Sequence, residues 1–225
     1  MSEPLANVLP IYFVADHSGS MGPHIDALNN ALQELLDTMR FESFAASKVR
    51  FAVVGFNSAA GVVMPISDLR FVEAVPQFEA YGTTDYSSVL NLLAAQLPAD
   101  VAELKAQGHR VFRPAVFFMT DGCPTDTEQQ WRAALDHLNS LPARPTLLSF
   151  GIGDADDGVL AAIASPNLAH RYSGTGSPAD ALSAVITSLT NSVVQSGNAL
   201  GDPTAAQALH FEPPADFVRI DIEEV

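Results

Sequence analysis

The 225-residue chain is short of three things, and each shortage closes off a class of proteins. Cysteine is nearly absent: Cys123 stands alone, so no intrachain disulfide can form, and such a chain is expected in the reducing cytoplasm. Positive charge is scarce, with 11 Lys and Arg against 26 Asp and Glu and a formal net charge of −15. The basic residues are scattered singly along the sequence, so neither a surface that tracks nucleic-acid phosphates nor one drawn to anionic lipid is expected. Long apolar runs are missing too. The strongest, Ala115 to Met119, follows Arg113 and Pro114 and falls far short of the ~20 residues that span a bilayer. The opening Met-Ser-Glu-Pro-Leu-Ala-Asn has neither a basic start nor an apolar core, and it does not read as a secretory signal.

What is present is the composition of a globular protein, 48% apolar and 16% charged, of a length that suits one domain with an appendage. Short β-rich runs alternate with segments of helical spacing. Strands are predicted at Leu9–Ala15, Val49–Gly55, Val62–Ile66, Pro114–Thr120, Thr146–Phe150 and Ala169–Tyr172. The second and third are separated by Asn57, Ser58 and Gly61 and read as a hairpin. Helical spacing covers Ile25 to Met39, with Pro23 where a helix can begin. It returns from Val89 through Leu97 toward Gly108, and again at Thr127–Leu138, Asp157–Ile163 and Pro178–Val194. This alternation predicts an α/β fold of three layers: a doubly wound, mostly parallel sheet with one antiparallel edge strand. Phe112, Phe117, Phe118 and Phe150 are expected in its core. The domain is assigned to residues 1–197. Residues 198–225 form an acidic extension interrupted by Pro203, Pro213 and Pro214, with an added strand expected at 217–222.

In open α/β sheets, ligands bind outside the carboxyl ends of the strands. Three such places carry hard oxygen donors: Asp16-His17-Ser18-Gly19-Ser20, Gly82-Thr83-Thr84-Asp85 and Thr120-Asp121-Gly122. A tight, Gly-containing loop can aim Asp16, Ser18 and Ser20 at one point. If the strands ending at Asp16 and Asp121 are neighbours, about 4.8 Å apart, both carboxylates can serve one ion. Oxygen donors with few carboxylates suit Mg²⁺, with Mn²⁺ the alternative, better than Ca²⁺. Asp85 and Asp126 read instead as helix-terminal acids. Cys123 has no adjacent positive charge to activate it, and His24, His109, His137, His170 and His210 show no ligand spacing.

Asp-x-Ser-x-Ser, a downstream Thr and a later Thr-Asp-Gly, in this order on strand ends, resemble the metal-ion-dependent adhesion site of the von Willebrand factor A (VWA) domain family over roughly residues 8–195. The resemblance implies that Ser18, Ser20 and Thr84 ligate the metal directly, that Asp16 and Asp121 act directly or through water, and that a partner protein's Asp or Glu fills the last position. The family commonly has Gly-Gly-Thr where this chain has Gly82-Thr83-Thr84, which makes Thr83 the competitor of Thr84. Leu9-Pro10-Ile11-Tyr12, Ser18-Gly19-Ser20-Met21 through Gly22 to Ile25, Arg113-Pro114, Thr120-Asp121-Gly122-Cys123-Pro124-Thr125-Asp126 with Trp131, and Gly151-Ile152-Gly153 are similar to the bacterial tellurite-resistance TerY type. That likeness implies a cytoplasmic stress-response complex with kinase-like or phosphatase-like partners.

Three functions compete. The first is a non-enzymatic, Mg²⁺-dependent interaction module. The second is a Mg²⁺-dependent phosphohydrolase, disfavoured because Ser18 stands where such enzymes carry a second acid for proton transfer. The third is a structural domain whose metal site is vestigial.

Overall fold

The computed structural model describes residues 7–201, 209–214 and 216–220. Its strands are β1 (Asn7–Asp16), β2 (Val49–Phe56), β3 (Ala60–Ser67), β4 (Arg110–Val111), β5 (Ala115–Thr120), β6 (Thr146–Gly151), β7 (Ala169–Tyr172) and β8 (Phe217–Arg219). The helices are α1 (Ile25–Phe41), α2 (Ser43–Lys48), α3 (Tyr86–Ala106), α4 (Glu128–Ser140), α5 (Asp157–Ile163) and α6 (Pro178–Gly201). The strand order is β3-β2-β1-β5-β6-β7-β8, and the short β4 pairs with the start of β1. Strands β2, β1, β5, β6 and β7 run parallel, while β3 is the antiparallel edge made by the expected hairpin. The C-terminal segment adds β8 antiparallel to β7 at the opposite edge.

Strand β1 sits in the middle of the sheet, covered on both sides, which is why its sequence is almost continuously apolar. Ile11, Phe13 and Ala15 pack with Leu28, Leu32, Leu36 and Met39 of α1 and Leu182, Val185 and Leu189 of α6. Tyr12 and Val14 point the other way, to Val89, Leu90 and Leu93 of α3 and to Trp131, Leu135 and Leu138 of α4. The period-2 alternation of one strand thus builds two cores and three layers.

Four details differ from the sequence reading. Pro23 lies inside a 3-10 turn, Gly19–His24, and the α-helix starts just after it. Helix α3 runs without a break through Pro98: the missing N–H costs one backbone bond, but burial of Leu93, Leu97, Val101 and Leu104 on the same face holds the helix. Phe112 is only half-buried, because it lies outside β5 beneath the Arg110 guanidinium, 5.4 Å from the ring centroid. The added strand is shorter than expected; within 217–222 the pairing covers Phe217–Arg219, and residues 221 and 222 lie outside the described residues.

Helix α6 continues past residue 197 to Gly201, and Leu209, Phe211 and Phe217 of the extension pack against the α1/α6 core. The descent of α6 past α2 depends on Gly197: a Cβ there would lie 2.5 Å from the Ala45 carbonyl oxygen. His170, on β7, is a packing residue, stacked on Phe150 and edge-on to Phe211.

Candidate metal centre

The chain order changes direction at β1, whose neighbours are β2 on one side and β5 on the other. That is the switch point at which the loops beyond the strand ends open a crevice. Asp16 is the last residue of β1 and is completely buried. The register pairs Ala15 with Met119, so Thr120 comes beside Asp16 and Asp121 follows at the mouth. One oxygen of Asp16 accepts from Thr120 Oγ1 at 2.6 Å, and the other accepts from the Ser18 N–H at 2.8 Å, an Asx turn that curls the loop back on itself.

The curled loop lines up the hydroxyls. Ser18 Oγ and Ser20 Oγ are 3.1 Å apart, and Ser20 Oγ donates to Asp121 Oδ1 at 2.8 Å. Ser18, Thr84 and Asp121 are buried while Ser20 is exposed, so the group opens to solvent on one side.

The third loop is docked by backbone. Gly19 N–H donates to the Gly82 carbonyl at 3.1 Å, and the Asp85 N–H donates to the Asn57 carbonyl at 2.8 Å. Gly82 adopts φ +76°, a conformation that favours glycine. Thr125 donates to the Thr84 carbonyl from both its N–H and its hydroxyl, at 2.8 and 2.9 Å. The Thr84 hydroxyl lies beside Gly122, where a Cβ would sit 3.7 Å from Oγ1. Thr83 turns outward and bonds with Ser58, its N–H donating to Ser58 Oγ at 2.9 Å. Of the two threonines, the structure thus brings Thr84 to the loops of Asp16 and Asp121.

The two carboxylates are held in an unfavourable state for bare anions. Burial raises the pKa of Asp16 above the ordinary carboxylate value, opposed by the hydrogen bonds from Thr120 and Ser18, and the nearby Asp121 charge raises it further. Burial also raises Asp121, against the Ser20 hydrogen bond and the positive influence of His24, while Asp154 raises it. Among the described residues no three His, Cys, Asp or Glu side chains converge. The donor set is two carboxylates and three hydroxyls, which fits a small, hard divalent ion that keeps some of its water better than Ca²⁺.

The neighbours have other work. Asp85 caps α3, accepting from Ser88 N–H at 2.8 Å. Asp126 caps the same helix from a distance, its two oxygens accepting from Tyr86 and Ser87 N–H at 3.0 and 2.9 Å, while its own helix α4 is capped by Thr127. His17 braces the third loop through Phe78, Tyr81 and the Glu79 carbonyl. Cys123 is exposed, and its Sγ donates to the Asp154 carbonyl at 3.4 Å. Thr120, which stood in the quoted Thr120-Asp121-Gly122 but was given no role of its own, is the residue the structure adds to the group, through its hydrogen bond to Asp16.

The family profile described as "von Willebrand factor type A domain" matches residues 11–190. The chain belongs to this family. No curated protein sequence matches it. Among solved structures, it is similar to the pilus adhesin SpaC from Lactobacillus rhamnosus GG in its open conformation, with 16% identity and a TM-score of 0.62 over 86% of this chain and 30% of that one. It is similar to the von Willebrand factor type A protein from Catenulispora acidiphila, with 19% identity and a TM-score of 0.58 over 84% of this chain and 43% of that one. It is also similar to proximal thread matrix protein 1 from the mussel byssus, described with a zinc-occupied MIDAS motif, with 18% identity and a TM-score of 0.53 over 82% of this chain and 46% of that one. The chain spans less than half the length of these three proteins, and at such identities the likeness is one of fold.

Proposed function

We propose that this VWA domain is a non-enzymatic, metal-dependent protein-interaction module. Asp16, Ser18, Ser20, Thr84 and Asp121 hold Mg²⁺, or Mn²⁺, and an Asp or Glu of a partner protein binds at the open side. The observation that carries the reading is the meeting of three oxygen-bearing loops at the switch point of the sheet, with Ser20 bridging Ser18 and Asp121. A bound divalent ion supplies the positive charge that lets an acidic domain receive an acidic side chain. The chain's own part is to hold Asp16 through Thr120, to aim the hydroxyls, and to leave one side exposed.

Membership in a tellurite-resistance-type bacterial system in the cytoplasm, with a kinase-like or phosphatase-like partner, is the finer form of this proposal. It is supported by the motifs at Leu9–Tyr12, Arg113-Pro114, Cys123–Asp126 and Gly151–Gly153.

The test is titration calorimetry of EDTA-stripped protein with MgCl₂ and MnCl₂, comparing wild type with Asp16→Ala and Asp121→Ala. One-to-one binding that disappears in both variants, followed by partner capture that needs the metal, is the expected result. Mg²⁺-dependent turnover of a phosphate ester that vanishes on Asp16→Asn would overturn the proposal in favour of a hydrolase.

A further inference from the structure

The basic residues are single in the sequence, yet the fold gathers four of them. Lys105 in the last turn of α3, Arg110 in β4, Arg113 just before β5 and Arg144 just before β6 are all exposed. Residues 104–114 and 137–149 contain these four cations and no acid, while the other seven cations share the rest of the chain with all 26 acids. None of the four makes an ion pair with a described residue, whereas Arg40, Arg50, Arg70, Arg132 and Arg171 are each paired with an Asp or Glu. The nearest acid along α3, Glu103, is held by Gln107.

This surface is shaped as well as charged. One cleft of about 270 Å³ is lined by Lys105, Val111, Phe112, Arg113, Ala143 and Arg144. A second, of about 450 Å³, shares Arg113 and Arg144 and continues over Pro145, Leu147, Ile163 and Ser165. Each cleft therefore sets cationic side chains beside a floor of mixed apolar and polar groups, Asn139, Thr146 and Ser165 among them in the second. They open at the opposite end of the strands from Asp16 and Asp121, a separation of about 20 Å for six-residue strands, well beyond the ~10 Å Debye length at 0.1 M salt.

We infer that the paired clefts are a docking site for an extended acidic segment of a partner protein, one whose carboxylates alternate with apolar side chains. An extended chain points successive side chains to opposite sides, so a carboxylate can meet the cations where its neighbour enters a floor. An inorganic anion has no use for the apolar groups of the floors. A nucleic acid would need a longer cationic track than four residues, on a chain whose net charge of −15 repels it. The site is independent of the metal centre, so the domain has two places for acidic partner groups at its two ends.

The experiment is fluorescence anisotropy with a labelled ten-residue peptide of alternating Glu and Val, on the full chain, at about 20 and about 300 mM NaCl. Wild type is expected to bind at low salt, without added metal and in the presence of EDTA, and to weaken as salt rises. Arg113→Gln with Arg144→Gln is expected to bind at least about tenfold more weakly. Arg40→Gln with Arg132→Gln, which removes the same charge elsewhere, is expected to stay within about twofold of wild type. Melting curves confirm that both double variants are folded, and Lys105→Gln is the substitute should the first fail. Equal loss in the two double variants, or no binding by wild type, would overturn the inference. So would displacement by millimolar inorganic phosphate, tighter binding of a single-stranded DNA oligonucleotide than of the peptide, or wild-type dimerisation through Arg113 and Arg144 in sedimentation.

Discussion

Thr120 Oγ1 donates to Asp16 Oδ2 at 2.6 Å, in a spot where both residues are fully buried. The bond fixes the carboxylate that closes β1 by means of the residue that closes β5, so two neighbouring strands are tied together at the mouth of the site.

Removing that hydroxyl is the sharpest test of how the site is held. Thr120→Val keeps the shape but leaves the Asp16 oxygen with one donor fewer, a loss of about 1–3 kcal/mol in stability for a buried acceptor. Metal affinity is expected to fall about 10- to 100-fold, as is usual when the group orienting a ligand is lost. Thr120→Ser should retain most of both. Calorimetry and thermal melts of the two variants provide the check, and a Val variant that binds metal like wild type would break the link.

The two adjacent threonines separate ligand from scaffold. Thr84→Ala removes a buried hydroxyl beside Gly122 and is expected to abolish measurable Mg²⁺ binding, whereas Thr83→Ala loses only a contact with Ser58 and should bind within about twofold of wild type. The reverse ranking in calorimetry would give the metal-binding role to Thr83.

What was legible in the sequence was whatever is encoded locally. The alternation of continuously apolar, β-rich runs with segments of helical spacing announced a parallel sheet, and the rule that sites follow strand ends singled out Asp16 and Asp121. Thr120 stayed hidden because its task depends on register: only the pairing of Ala15 with Met119 brings it to Asp16. Asp126 was read as a cap, but that it serves α3 rather than its own helix follows from the docking of the Thr84 and Thr125 loops. The cluster of Arg113 and Arg144 was illegible for the same reason. Thirty-one residues apart in the chain, they line the same clefts because β5 and β6 are parallel neighbours and start side by side.

Gly197 sets two effects against each other. Alanine is favoured over glycine inside a helix by about 1 kcal/mol. At this position, however, a Cβ would lie 2.5 Å from the Ala45 carbonyl oxygen and 2.7 Å from its Cα, backbone atoms that cannot swing aside. Pushing two packed helices apart costs about 1–3 kcal/mol, so Gly197→Ala is expected to lower the melting temperature despite its propensity gain. A raised melting temperature would show that α6 can slide past α2.

His170 gives the fold a dependence on pH. Burial is the main cause that lowers its pKa below the ordinary 6.5, and the Arg219 charge adds to it, while the nearby backbone of Leu168 and Ser149 acts the other way. The ring stacks on Phe150 at 5.5 Å and lies edge-on to Phe211 at 5.3 Å, and its Nδ1 has no hydrogen-bond partner among the described residues, so the neutral form is the one the site accommodates. Above pH 6.5 the imidazole is neutral in both states and contributes no pH dependence. As pH falls through 6.5 the unfolded chain takes up the proton first, which stabilises the unfolded state. The contribution of the neutral ring is therefore lost progressively between 6.5 and the lowered folded value, and no further below it. His170→Phe preserves the aromatic packing and removes the titration. Denaturant melts from pH 7.5 to 5 should then show a shallower decline for the variant than for wild type, and parallel profiles would mean that another group controls stability in that range.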